Sequence, residues 1–512
     1  MTNLNHETCY RIIASRDARY DGRLFVGVKT TGVYCRPICR VRMPKPASCV
    51  FFSSAIAAQS AGFRSCLRCR PEIAPSLAAW NGTSTTVERA LGLIAGGALD
   101  DERLDRLATR VGIGERHLRR LFIEHLGTTP IAVVQTRRVL FAKRLITETP
   151  MSMAHVAMAA GFGSVRRFNE TMRKVYGRTP TALRSARDVK NDEDQDDVIT
   201  LALPYSGNYD WPHMAAWLRS RAIAGVETVG SDGTYIRSIA FQGAVGIFEV
   251  HPPAGEAAQL LATIRFPKIS ALLTIVDRIK RIFDLDADLD VINTHLASDP
   301  RLAPLIARRP GLRVPGAWDG YELTIRAILG QQISVVAAWK LAARLVERFG
   351  TPLPDGSCSD RHAVRLCFPQ PAILADADIA SFGMPRARAD AIRAAARAAV
   401  DDPHYFEPSH DLAGSIARLR RLTGIGEWTA QYIALRAMRE PDAFPSGDIG
   451  LMRAFVDERG LRPTSGELLQ AAQAWRPWRA YAALHLWASE SERTSEAERT
   501  SEREHTAVGS VA

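Results

Sequence analysis

This sequence predicts a multidomain protein, mainly α with α+β parts, and three observations carry that reading. At 512 residues the chain is too long for one ordinary hydrophobic core, so three or four domains are expected. Six of its eight cysteines fall within the first 70 residues and mark a small, separate unit there. Beyond it, long Ala-, Leu- and Arg-rich stretches with apolar residues at helical spacing surround a zone of alternating, strand-like segments.

Composition narrows the class. The chain is 46% hydrophobic and 24% charged, a globular balance, and no apolar run is long enough to span a bilayer. The opening MTNLNHETCY has no apolar signal-peptide core, so the expectation is a cytoplasmic, nucleoid-associated protein with no membrane partner. The net charge of +11 is unevenly spread. Residues 1–190 hold 31 basic and 14 acidic side chains, a balance of +17, whereas the other 322 hold 35 and 41, a balance of −6. A polyanion is the expected partner of the basic third.

Residues 1–78 form the first unit. Cys35-Arg-Pro-Ile-Cys39 and Cys66-Leu-Arg-Cys69 are two close cysteine pairs, the pattern of two knuckles around one tetrahedral Zn²⁺. Cys9 and Cys49 stand outside it and read as buried thiols. FVGVKTTGVYCRPICR followed by AGFRSCLRCRPE closely resembles the N-terminal domain of the Ada family. The resemblance implies that Cys35, Cys39, Cys66 and Cys69 hold zinc and that Cys35 takes a methyl group irreversibly from a DNA phosphotriester. Four thiolates leave the zinc centre with a net negative charge that repels phosphate. Methylating one lowers that charge, so methyl transfer is expected to strengthen DNA binding.

Residues 85–187 carry a pattern that occurs twice. LDRLATRVGIGERHLRRLF places Leu104, Leu107 and Val111 on one helical face, turns at Gly112 and enters an Arg/His-rich helix from Glu115 to Phe122. MAHVAMAAGFGSVRRFNETMRKVYGRTP does the same around Gly161-Phe162-Gly163, with a second reader beginning at Val165 to Phe168, and RRVLFAKRLI reads as a connecting helix. Two helix-turn-helix units joined by one helix and closed by Tyr-Gly-x-Thr-Pro resemble the AraC-type DNA-binding domain. By that resemblance His117, Arg119, Arg120, Arg166 and Arg167 are groove or phosphate contacts, and RNA polymerase is the expected partner of an activator. DVKNDEDQDD (188–197) reads as an acidic linker.

Residues 198–310 read as a mixed α/β accessory domain. VITLALPY and YIRSIAFQ alternate like strands, and WPHMAAWLRSRAI has helical spacing. FDLDADLD is rich in carboxylates but lacks the glycine and closing glutamate of a calcium loop. Residues 311–490 read as an all-α unit: GAWDGYELTIRAILGQQISVVAAWKLAARLVERFG is an amphipathic helical hairpin, and LADADIASFGMPRARADAIRAAARAA continues in kind. In LTGIGEWTAQYIALRAM the turn Gly424-Ile425-Gly426 opens a helix, leaving backbone N–H groups free for a phosphate.

With NYDWPHMAAWLRSRAIAGVETV, with Asp448 after Pro445-Ser446-Gly447, and with AWRPWRAYAALHLWASE, residues 198–490 resemble the AlkA-type 3-methyladenine DNA glycosylases of the helix-hairpin-helix superfamily. The resemblance implies a base pocket of Trp217, Trp428, Tyr432 and Trp487, with Asp448 as the catalytic acid. It puts Gln332 at the duplex wedge, where the family carries a leucine, with Gln331 before it as a second substrate contact. Gly424 and Gly426 become the phosphate anchor, and the carbonyls of Arg420, Leu422 and Ile425 a place for a monovalent cation. The chemistry is consistent: an alkylated purine must leave the stack to be reached, and its cationic ring is drawn to aromatic faces. Asp442, the rival acid, precedes AFPSG and lies too early, and Trp475 and Trp478 read as core aromatics.

Trp428 stands where strand-cutting relatives carry a lysine, and no four-cysteine cluster follows Cys367, so a monofunctional glycosylase is expected. The Pro-Cys-His-Arg motif of an O6-methylguanine methyltransferase occurs nowhere in the chain. A methylation-sensing activator with an inactive glycosylase half is the alternative; the intact Trp428, Tyr432, Asp448 and Trp487 favour the enzyme. SERTSEAERTSEREHTAVGSVA (491–512) lacks apolar periodicity and reads as a disordered tail.

Overall fold

In the computed structural model, residues 5–509 are described except for 72–73, 75–84, 100–102, 185–197, 355–363, 383, 409–410 and 457–458. The acidic linker therefore lies outside the described residues. Among the described residues no helix is long and apolar enough to cross a membrane.

The cysteine-bearing unit is a four-stranded sheet in the order Cys49–Phe52, Phe25–Val28, Val33–Cys35, Arg64–Ser65. The last two strands are parallel, with Tyr34 opposite Ser65. Parallel pairing makes the ends of these strands adjacent, and the Cys66 N–H donates to the Tyr34 carbonyl at 3.0 Å. Two cysteine pairs far apart in sequence are thereby brought side by side.

The double helix-turn-helix forms as expected. Helices Leu104–Arg110 and Glu115–Leu126 make the first unit, Met153–Ala159 and Val165–Tyr176 the second, and Pro130–Glu148 connects them. Both turns need a left-handed residue, supplied by Gly112 (φ +77°) and Gly161 (φ +76°). The first reader helix runs past the expected Phe122, and both readers end at a left-handed glycine C-cap, Gly127 or Gly177.

The accessory domain is a five-stranded antiparallel sheet in the order Val198–Pro204, Gln259–Arg265, Ala244–His251, Tyr235–Phe241, Glu227–Val229. Val198–Pro204 and Gln259–Arg265 alternate buried and open residues, as strands with one covered face do. Its core is shared: Ile199, Leu201 and Phe248 lie in one apolar cluster with Leu145, Val156 and Phe168 of the helix-turn-helix region. Helices Leu289–Leu296 and Ala303–Arg308 pack into the core of the helical unit. Leu289, Ile292 and Leu296 recur on one face of the first and are the residues it buries there.

The helical unit is all-α apart from a short strand pair, Thr351–Pro352 with Leu366–Cys367. A buried network fastens the sheet to its first helix, Gly320–Leu329. Arg326 pairs with Glu227 at 2.6 Å and Glu322 at 2.5 Å, and Arg237 bonds both acids as well. Burying charge is costly, and here the charges pair with one another across the seam. Three carboxylates of FDLDADLD are engaged in the same way. Asp284 accepts from the Val314 N–H and the Tyr481 hydroxyl, both at 3.0 Å, and Arg439 also donates to it. Asp288 caps Leu289–Leu296, and Arg23 pairs with both Asp288 and Asp290.

One expectation is corrected. The C-terminal tail is not disordered over its length: helix Arg479–Gly509 runs through residues 491–509. Glu, Arg and Ala favour helix without any apolar stripe, and the Arg493–Glu490 pair at 2.9 Å is a contact of the i,i+3 kind that stabilises it.

Candidate functional site

Asp448 sits at the N-cap of the short helix Ile449–Ala454, its Oδ1 accepting from the Leu451 N–H at 3.0 Å. That placement follows from Pro445-Ser446-Gly447, where the Asp448 N–H bonds the Pro445 carbonyl and turns the chain into the helix. Two indoles complete the carboxylate's surroundings: Trp428 Nε1 donates to Oδ2 and Trp487 Nε1 to Oδ1, each at 2.9 Å. The acid is thus clamped from the hairpin helix Glu427–Arg436 on one side and from the last helix on the other.

Trp428 and Tyr432, one turn apart, stack with ring centroids 5.3 Å apart and planes within 8°. Trp217, Trp428, Tyr432, Trp487 and Asp448 are all half-buried, neither sealed in the core nor fully open. Trp475 and Trp478 are 1% and 5% exposed, as core aromatics should be. Asp442 is occupied by Arg479 at 2.7 and 2.9 Å and by Arg476 at 2.8 Å, so this acid is committed to structure.

Arg436, a residue missed in the sequence, links the aromatic set. It donates to the Tyr432 hydroxyl at 2.8 Å and to the Pro315 and Gly316 carbonyls at 2.9 and 2.8 Å, and it lies 4.1 Å from the Trp217 ring centroid. Burial lowers its pKa from the ordinary value. Arg221 lies 4.4 Å from the same ring. A cleft lined by Trp217, Arg221, Trp318, Arg326, Trp339 and Arg436 adjoins Tyr432 but does not reach Asp448. The available signal was spacing, since Arg436 follows Tyr432 by one helical turn.

The hairpin is helix Leu412–Leu419, the glycine turn, and helix Glu427–Arg436. Gly424 has φ +82°, and a Cβ there would stand 2.7 Å from the Ala391 Cβ. Gly426 caps the second helix without a side-chain bond and with open space around it, so the helix's first N–H groups face outward without a side-chain partner. Gln331 does not point freely toward a duplex: its Nε2 donates to the Gly424 carbonyl at 2.8 Å and to Thr429 Oγ1 at 3.2 Å. Gln332 is the exposed member of the pair and takes a left-handed backbone, φ +59°.

The four cysteine sulfurs converge, with Cys35, Cys39, Cys66 and Cys69 ligand atoms all within 4.8 Å of one another. Among the described residues no other group of Cys, His, Asp or Glu does so. Backbone N–H groups of Arg36 and Arg68 point at the sulfurs of Cys69 and Cys66, both at 3.4 Å, the second shell a thiolate centre needs. Hydrogen bonding to Cys39 first, then to Cys66 and Cys69, pushes the Cys35 thiol far up, while Cys39 is lowered to about 7, chiefly by Cys35. Such a cluster fits one zinc ion. Cys35 is 4% exposed, and Cys69 is the most open of the four.

On helices Glu115–Leu126 and Val165–Tyr176, the side chains of His117, Arg119, Arg120, Arg166 and Arg167 are all exposed. Arg119 pairs with Glu115 at 2.6 Å and Arg166 with Glu170 at 3.0 Å within their helices.

Four families match, one after another along the chain: the metal binding domain of Ada (8–72), a helix-turn-helix domain (107–186), the AlkA N-terminal domain (200–319) and the HhH-GPD superfamily of base excision DNA repair proteins (325–480). A Mycobacterium tuberculosis protein named "Probable bifunctional transcriptional activator/DNA repair enzyme AlkA" is 38% identical over 486 residues, 94% of this chain and 96% of that one. "DNA-3-methyladenine glycosylase 2" of Escherichia coli is 35% identical over 55% of this chain and 94% of its own. "Bifunctional transcriptional activator/DNA repair enzyme Ada" of the same organism is 35% identical over 28% of this chain and 38% of its own.

Proposed function

The chain belongs to the family of bifunctional transcriptional activator/DNA repair enzymes of the AlkA type, and on that premise we propose how its residues divide the work. It is a DNA-3-methyladenine glycosylase joined to a zinc-binding, methyl-accepting regulator that binds double-stranded DNA. The observation that carries the residue assignment is the Asp448 carboxylate held between two indole N–H groups beside a stacked Trp–Tyr pair.

The flipped base enters among Trp217, Trp428, Tyr432 and Trp487, whose faces favour a cationic ring. As the N-glycosidic bond lengthens, positive charge grows on the sugar, and Asp448 stabilises it and orients the water that adds to C1′. The bond's electron pair leaves with the base. Trp428 offers no amine for a Schiff base, so the DNA backbone stays intact. Gly424 and Gly426 anchor a phosphate of the same strand, and the carbonyls of Arg420, Leu422 and Ile425 would hold a monovalent cation, which would add positive charge beside that phosphate. Gln332 takes the wedge position and Gln331 holds the wedge turn against the hairpin.

In the regulatory half, bound zinc supplies the charge that keeps the four thiols deprotonated. The Cys35 sulfur attacks the methyl carbon of a phosphotriester; the S–CH₃ bond forms, the O–CH₃ bond breaks, and the oxygen keeps the electron pair as a phosphodiester anion. Exposure alone would favour Cys69, so the choice of Cys35 rests on its place as first cysteine of the motif. The smaller negative charge then lets His117, Arg119, Arg120, Arg166 and Arg167 engage promoter DNA, with RNA polymerase as the partner recruited there. Both roles place the protein on the chromosome in the cytoplasm.

The direct test is incubation with methylated duplex DNA. Release of free 3-methyladenine, with strands that break only after alkali, is the expected result. Strand cutting without alkali, or no free base, would overturn it.

A further inference from the structure

The two halves meet through charges arranged in one direction. Five ion pairs between the regulatory half (5–184) and the glycosylase half (198–490) place an arginine on the first and an acid on the second. Arg23 reaches Asp288 and Asp290, Arg110 reaches Glu407, and Arg137 reaches Asp277. Arg89 grips Glu440 with a two-pronged fork, Nε to Oε1 at 3.1 Å and Nη2 to Oε2 at 2.9 Å. The pattern matches the +17 and −6 balances read from the sequence. Beneath it, the second helix-turn-helix shares an apolar core with the accessory sheet, and Arg144 donates to the Ala202 carbonyl.

Glu440 is 6% exposed and begins the segment that ends at Asp448. Other groups pin this segment from within the glycosylase half: Arg479 and Arg476 hold Asp442, Gln431 accepts from the Phe444 N–H at 3.0 Å, and Ala480 donates to the Pro441 carbonyl at 2.8 Å. Arg89 is the anchor from outside it.

We propose that the regulatory half is docked on the glycosylase half as one unit, and that Arg89 acts through Glu440 as a positioning residue for the loop carrying Asp448. The occupant of this surface is the chain's own helix-turn-helix region, not a second copy. A bidentate pair between planar groups fixes orientation as well as distance, and a buried carboxylate left without its guanidinium forces its loop to move. Any shift of the regulatory half on its DNA is then felt at the loop. The inference about catalysis rests on the assignment of Asp448; the docking itself does not.

The test compares full-length wild type, Arg89→Glu, Arg89→Lys, Glu440→Arg and the double exchange Arg89→Glu/Glu440→Arg. Two quantities are read: hydrogen exchange over residues 438–448, and the single-turnover excision rate with its half-saturating DNA concentration. Arg89→Glu is expected to speed exchange and slow excision about 10-fold with little change in half-saturation, Arg89→Lys to fall between, and the double exchange to recover both. An equimolar mixture of the two single variants stays slow. Wild-type exchange in Arg89→Glu, or a double exchange no better than the single variants, overturns the docking; rescue in the mixture overturns the choice of occupant. If wild type excises nothing, the Asp448 reading fails, while the exchange data still decide the docking.

Discussion

The indole N–H of Trp428 donates to Asp448 Oδ2 across 2.9 Å, tying the hairpin helix directly to the acid. Trp428 therefore has two separable roles, a ring face that stacks on Tyr432 and a donor that aims the carboxylate. Trp428→Phe keeps the first and deletes the second. Hydrogen bonds to charged groups contribute about 1.5–3 kcal/mol, so single-turnover excision should fall roughly 10- to 100-fold while the affinity for abasic-site DNA holds. Unchanged excision would mean that the donor does not matter. Trp487→Phe should behave alike, and because both indoles act on one carboxylate the double variant should lose less than the sum.

Zinc should be present at one ion per chain and depend on four cysteines only. Cys39→Ser, Cys66→Ser or Cys69→Ser should lower bound zinc and loosen residues 5–71, read by metal content and hydrogen exchange. Cys9 and Cys49 are buried, burial raises both thiols, and neither belongs to the converging set. Their serine variants should keep full zinc. Loss of zinc on changing Cys49 would redraw the site.

The hairpin glycines should differ in stability. Gly424→Ala meets both a left-handed backbone and the Ala391 Cβ at 2.7 Å, and should cost about 1–3 kcal/mol in denaturant unfolding. Gly426 has an ordinary φ of −86° and open space, so Gly426→Ala should cost about 1 kcal/mol or less. Equal losses would argue against the turn geometry.

His485 gives a pH dependence with a defined sign. It is 3% exposed, and burial first, then the charge of His213, pulls its pKa from 6.5 down to about 4. The folded state keeps it neutral where the unfolded chain would protonate it. Stability is fully present above pH 6.5 and falls as pH drops toward 4, by on the order of 3 kcal/mol from this group. Thermal melts across that window should show the decline, and His485→Gln should flatten it. An unchanged slope would place the acid sensitivity elsewhere.

Much of the site was legible in the sequence because its chemistry sits in short, regular spacings. Cys35 to Cys39, Cys66 to Cys69 and Trp428 to Tyr432 each fit within one turn or knuckle, and Asp448 follows a Pro-Ser-Gly turn. The helix-turn-helix repeat was legible for the same reason. What escaped notice depends on contacts that no local period encodes. Arg89 and Glu440 are 351 positions apart, and Arg436 gains its meaning from carbonyls at 315 and 316. The helical tail has no apolar stripe to mark it in the sequence; its residues favour helix, and its start is held by Glu492 on Arg308 and Arg309.

Asp448→Asn tests the central claim most directly. Asparagine is as good an N-cap as aspartate, so the helix at Ile449–Ala454 keeps its start while the charge disappears. Single-turnover release of 3-methyladenine from methylated duplex DNA should drop by about 1,000-fold, with affinity for abasic-site DNA within about twofold of wild type. Release equal to wild type would contradict the assignment of Asp448 and with it the mechanism built on the two indoles.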